Sequence, residues 1–223
     1  MKLFAKTCIL FNLIFADSGI FNFDEMNQKQ IVRGLSLWLS NVPRIDPISA
    51  NRFYLQSGMT SLINNGEVNL LKYPDFCMGL KATKNLAVTI KSYGFSNQQY
   101  NPFIMGAGIQ IYSGDNEDSL DWVTSIQRTD LIGLKQFKMT SQSIDLQKWI
   151  SQDFYKACIG MGVNIFDMKS LSNDTTLSKS LNGQINYFSL EFTVPVLETF
   201  VGISLRISSN QILNRISVQK EFF

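Results

Sequence analysis

The period of its hydrophobic pattern constrains this chain more than any other feature. In residues 86–95, LAVTIKSYGF, Leu86, Val88 and Ile90 alternate with Ala87, Thr89, Lys91 and Tyr93. In residues 102–112, PFIMGAGIQIY, Phe103, Met105, Ala107, Ile109 and Ile111 alternate with Gly106, Gly108, Gln110 and Tyr112. In residues 155–166, YKACIGMGVNIF, Ala157, Ile159, Met161, Val163 and Ile165 alternate with Cys158, Gly160, Gly162 and Asn164. Strand side chains point to opposite faces at each step. Each segment therefore has one bulky apolar face and one face of small, polar or mixed residues. Helical periodicity is scarce: residues 24–32 (DEMNQKQIV) predict a short helix, and SQDF near Asp153 predicts a turn. The chain reads as all-β.

Residues 188–208, FSLEFTVPVLETFVGISLRIS, read as a hairpin about Pro195-Val196-Leu197-Glu198. With those four as the turn, Val194 faces Thr199. Phe192 then pairs with Val201, Leu190 with Ile203 and Phe188 with Leu205 on an apolar face. Glu191 pairs with Gly202, Ser189 with Ser204 and Tyr187 with Arg206 on a polar one.

Further strands are expected near residues 53–62, 76–82, 120–128, 134–146, 184–194, 200–207 and 216–222, with another over 31–39 as an option. Short connections (83–85, 114–119, 150–153, 195–198) alternate with longer polar ones (64–75, 96–102, 167–183, 208–214), residues 129–133 being short on the long side. This alternation predicts an antiparallel up-and-down transmembrane β-barrel of about ten strands (8–12), with short periplasmic turns and long outer loops. Tyr112, Trp122, Trp149, Tyr155 and Phe222 would cluster at the short-turn end, as an interfacial girdle would. The rival is an exported soluble β-sandwich acting as an adhesion or ligand-binding module, since stacked sheets alternate in the same way. The low charge of the polar faces favours the barrel.

The first sixteen residues have the parts of a signal peptide. Lys2 and Lys6 precede an apolar core from Thr7 to Phe15, and Ala16 offers a cleavage point. Residues 17–223 then form a single barrel domain, with 17–50 as an N-terminal segment, plug or periplasmic piece. Without Lys2 and Lys6 the bases and acids are equal in number, so a nucleic-acid partner has no electrostatic footing. Only 17% of residues are charged, against ~25% in soluble domains. No later run approaches the ~18 apolar residues of a spanning helix. Cys77 and Cys158 lie in strands, read as packed free thiols.

Two motifs carry family resemblances. The terminal Phe223 resembles the last residue of bacterial outer-membrane barrels, which the barrel-insertion machinery reads. The apolar series back from the end, Phe222, Val218 and Ile216, is one residue out of phase with that family, and Lys220 interrupts it. Arg33-Gly34-Leu35, Asp46-Pro47 with Ala50, and Ser57-Gly58-Met59 resemble the opening of FadL-like and PorV/PorQ-like outer-membrane proteins. The family's Asn-Pro is absent, and LSLWLS replaces its Gly-rich stretch. The resemblance implies an outer-membrane barrel engaged in hydrophobic-molecule uptake or secretion.

The sequence contains no histidine, which removes His-dependent nucleophile systems and His-ligated zinc. The acidic turn at residues 114–118 lacks calcium-loop spacing and reads as a solvated turn. Asn173-Asp174-Thr175 fits a glycosylation acceptor, which matters only in a eukaryotic secretory pathway. Gly106, Gly108, Gly160 and Gly162 read as relief of crowding inside a small closed sheet. The inward face is expected to carry Lys91, Tyr93, Tyr112, Tyr187, Glu191 and Arg206, with Arg128 beside them. They form either a polar filling or a narrow solute path. Eight strands are filled by side chains and open channels need ~16, so ten favour filling. The function read here is non-enzymatic: an outer-membrane scaffold or binding protein, or a narrow channel for small hydrophobic solutes. Outer-membrane lipid is the surrounding partner, and no cofactor, metal or catalytic residue is assigned.

Overall fold

The computed structural model describes residues 28–64, 67–96, 101–114, 120–152, 154–172 and 178–223. Among the described residues one helix, α1 (Gln28–Leu39), precedes ten strands. They are β1 (Phe53–Asn64), β2 (Glu67–Thr83), β3 (Leu86–Gly94), β4 (Phe103–Gly114), β5 (Leu120–Ile132), β6 (Phe137–Gln152), β7 (Tyr155–Ser170), β8 (Ser180–Val196), β9 (Thr199–Ser208) and β10 (Gln211–Phe222). Each pairs antiparallel with its sequence neighbours, and β1 closes on β10 from Phe53 opposite Phe222 to Asn64 opposite Gln211. The sheet is a closed ten-stranded barrel, not two stacked layers. The signal-peptide segment 1–16, the acidic turn at 115–118 and the acceptor at 173–175 lie outside the described residues.

Alternation decides which face is which. Ile90, Ile109, Ile126, Ile144, Ile159 and Ile203 point outward, while Thr89, Gln110, Ser125, Asp145 and Ser204 point inward and are buried. The hairpin register differs from expectation by two residues. The β8–β9 turn holds only Leu197 and Glu198, with Val196 opposite Thr199, so Phe192 meets Ile203 and Leu190 meets Leu205. Leu197 takes a left-handed φ of 56° to close it, and two further rungs form below the expected end. An even shift keeps every side chain on its face.

Other expectations are corrected. Two of the loops read as long are tight, since β2 starts at Glu67 and β10 at Gln211. The loop read as 167–183 shrinks because β7 runs to Ser170 and β8 starts at Ser180. The girdle divides: Trp122 points outward under Lys148 Nζ, 5.0 Å from its ring centroid, but Tyr112 and Trp149 are buried inside. Tyr155 stacks on Phe192 and Phe222 lies against Phe53. Arg128 is not luminal; it points outward beside Asp130, 3.6 Å away. At the short-turn end, a hydrogen bond from Lys220 Nζ (2.7 Å) holds the Glu198 carboxyl below the ordinary carboxylate range.

The β2–β3 seam is the shortest in the barrel, pairing only from Met78–Ile90 to Thr83–Leu86. Beyond it the Pro74 carbonyl accepts a hydrogen bond from Tyr93 Oη at 3.0 Å. In an extended strand the nitrogen and carbonyl of one residue face the same neighbour. The missing N–H of Pro74 therefore faces β3, where no ladder runs, as proline in a sheet requires.

Candidate functional site

The site is the barrel interior together with the chain that occupies it. Residues 31–39, IVRGLSLWL, are apolar almost all round a helix, and a helix of that kind needs burial on every side. Sequence reading offered residues 31–39 as a strand and 24–32 as a helix. With the sheet already closed, this segment has no edge to join, and it coils inside the lumen as α1. Ser40 N bonds Ser36 O at 3.1 Å and Asn41 N bonds Trp38 O, ending the helix just before Pro43.

α1 fills the long-loop half of the lumen. Val32, Leu35, Trp38 and Leu39 pack against Ile104, Leu131, Phe137, Met139, Phe166 and Met168 from the wall. Trp38 stacks on Tyr73 with centroids 4.8 Å apart. Gly34 lies so near Leu62 that an added Cβ would stand 2.3 Å from its Cδ2. One polar notch crosses this apolar packing, where Asn164 Nδ2 donates to Ser36 O at 2.9 Å and to Ser36 Oγ at 2.7 Å.

The short-turn half is ionic. Here the chain after α1 runs extended, and the wall satisfies its backbone. Gln127 Nε2 donates to Leu39 O and Asn41 O, and Gln110 Nε2 donates to Pro43 O at 2.7 Å. Arg44 Nε lies 3.1 Å from Glu191 Oε2, both side chains almost wholly buried. Asp46 meets Lys156 Nζ at 2.7 Å, and Lys156 also lies 3.5 Å from Glu221. Lys81 Nζ donates to the carbonyls of Asp46, Pro47 and Ser49.

Two further clusters join wall to wall. Asp75 bridges Lys91 (3.5 Å) and Arg215 (3.4 Å). Asp145 accepts from Tyr187 Oη at 2.7 Å and lies 3.8 Å from Arg206, whose Nη1 donates to Ser40 Oγ at 2.6 Å. Buried charges of this kind stand only when paired and hydrogen-bonded. Gly162 makes room for the second cluster, since a Cβ there would sit 2.6 Å from Tyr187 Oη and 2.8 Å from Asp145 Oδ1.

The six residues read from sequence thus lie inside, but they do not line one open path. Lys91 sits with Asp75, Glu191 with Arg44, and Arg206 and Tyr187 with Asp145. Tyr93 closes the β2–β3 seam, and Tyr112 packs in the apolar floor with Ile45, Tyr54 and Trp149. Sequence reasoning missed Asp75, Asp145, Lys156 and Arg215, and the luminal residues Arg44 and Asp46. The signal was present for Asp145, which shares the inward parity of Ser141, Ser143 and Gln147. A charge on that parity demands a partner. Cys77 and Cys158 are buried free thiols.

A hollow of about 480 Å³ opens at the short-turn mouth, lined by Pro47, Ile48, Ser49, Lys81 and Leu120, but the space among the buried charges is small. The cavity bounded by Arg44, Trp149, Lys156, Glu191 and Phe200 holds about 10 Å³, room for about one water.

No family model matches the chain, and no curated protein matches it. Solved structures align with it at low identity. The KdgM porin in complex with disordered oligogalacturonate is 7% identical with a TM-score of 0.41, covering 76% of this chain and 99% of that one. Neisserial surface protein A (NspA) is 10% identical with a TM-score of 0.36, covering 76% and 97%. The translocator domain of autotransporter NalP from Neisseria meningitidis is 10% identical with a TM-score of 0.37, covering 86% and 93%. Values this low leave function to be argued from the chain's own residues.

Proposed function

We propose that this chain is a plugged outer-membrane β-barrel without enzymatic activity, acting as a scaffold or binding protein. Its long-loop end faces outward. Support for the membrane comes from the outward apolar side chains of β3 to β10, isoleucines on seven of these strands and Phe188, Leu190 and Phe192 on β8, since water-soluble monomers rarely expose large contiguous apolar patches. Closure adds to this, because a closed barrel leaves no sheet edge in hydrocarbon. The termini of the sheet and the short turns share one end, which is the periplasmic end of such barrels. The likeness of residues 33–59 to FadL-like and PorV/PorQ-like proteins fits a plugged barrel, since Gly34 and Asp46 are points at which the segment meets the wall.

The observation that carries the scaffold reading is the filled lumen: apolar around α1, ionic around residues 40–50. A narrow channel for small hydrophobic solutes would need that segment to move. Planar-bilayer recording tests the choice. The intact chain is expected to give no conductance steps, and a chain lacking residues 28–50 is expected to give them. Steps from the intact chain equal to those of the deletion would replace the scaffold by a channel.

A further inference from the structure

The direction in which the luminal segment runs has a topological consequence. At its start, Gln28 is bound to the β7–β8 connection by two hydrogen bonds, Gln28 Nε2 to Ser178 O at 3.2 Å and Ser178 N to Gln28 Oε1 at 3.0 Å. Two residues on, Gln30 O accepts from Gln211 Nε2 at 2.9 Å, at the tight β9–β10 connection. Both connections belong to the long-loop end. At its finish, Asp46 pairs with Lys156 in the second residue of β7, and Arg52 N bonds the carbonyls of Phe222 and Phe223. Those partners belong to the short-turn end. The chain therefore enters the barrel at the long-loop mouth and leaves it at the short-turn mouth before β1 begins.

We infer that the protein is threaded through its own barrel, so that the residues preceding Gln28 are presented on the outer surface of the cell beside the β7–β8 loop. This rests on the membrane orientation proposed above. The route is held at three levels: the Gln28–Ser178 pair at the mouth, α1 in its apolar sleeve, and the Arg44–Glu191 and Asp46–Lys156 pairs near the exit. A segment so held presents one face of the membrane with its N-terminal side and the opposite face with residues 48–52.

Single cysteines and a membrane-impermeant maleimide test the threading in a Gram-negative host, in a Cys8→Ser background where Cys77 and Cys158 are buried. Lys179→Cys marks the long-loop end, Glu198→Cys the short-turn end, and Asn22→Cys the segment in question. Asn22→Cys is expected to label on intact cells to the same extent as Lys179→Cys, with Glu198→Cys labelling only after permeabilisation. Labelling of Asn22→Cys only after permeabilisation, with the two markers behaving as stated, overturns the threading and leaves the membrane orientation standing. Identical labelling of the two markers on intact cells overturns the orientation, and the threading with it. Heat-dependent gel migration of each variant confirms that the barrel has formed.

Discussion

Arg44 and Glu191 show what a buried charge does in this barrel. Removing one partner strands the other in the interior, which costs about 3–5 kcal/mol. Arg44→Ala should therefore lower the urea midpoint of the reconstituted protein sharply, whereas Arg44→Met combined with Glu191→Gln should recover much of the loss. Gly162 is a second sensitive point. Gly162→Val would drive apart Tyr187 and Asp145 and overpack the wall, a loss of about 1–3 kcal/mol, read as a drop in the heat-modification midpoint. Parity made half of this site legible. Lys91, Glu191 and Arg206 could be placed inside because they alternate with large apolar residues. Arg128 misled because its neighbours on β5 are polar on both faces, Gln127 and Thr129 inward, Asp130 outward, so alternation there carries no signal.

Among the elements, the β8–β9 hairpin separates what pattern fixes from what it leaves free. The faces follow from period two, but the turn decides register, and no residue type at 195–198 announces a two-residue turn closed by a leucine at positive φ. The outward face of this hairpin gives a direct test of the lipid contact. Ile203→Arg should cost about 2–4 kcal/mol if that side chain faces mid-bilayer, and Ser204→Arg on the luminal side less. Comparing folded fractions in denaturant titrations of vesicle-bound protein measures both, and equal tolerance would contradict the assigned faces. α1 was harder to read than any strand. LSLWLS alternates as well as any ribbon here, and a short apolar run fits helix and strand alike. Only closure of the sheet around it removes the strand option.

For the whole molecule, ten strands and their order were legible because most outward faces repeat one chemistry, while for residues 17–50 a plug and a periplasmic piece stood as equal options. Nothing in residues 28–50 names their enclosure; it follows from the wall, whose apolar upper half and ionic lower half match the two parts of the segment. Phe223 belongs to this scale as well. Its ring is 86% exposed at the short-turn end, while its carbonyl accepts from Arg52 N at 2.7 Å. Deleting it should leave the folded barrel nearly as stable but reduce the amount assembled in the membrane, measured by fractionation against a loading standard. Unchanged assembly would make the terminal aromatic incidental.

A ring has no natural starting point for coming apart, yet this one has been given one. Where Pro74 faces Tyr93, a phenol stands in for backbone rungs, so heating should part β2 from β3 above Met78 before any other neighbours separate. Deuterium uptake at the amides of residues 91–93 would then outrun that of the corresponding amides in β7 and β8, and the cylinder would unroll into a curved ribbon whose two margins can be named in advance.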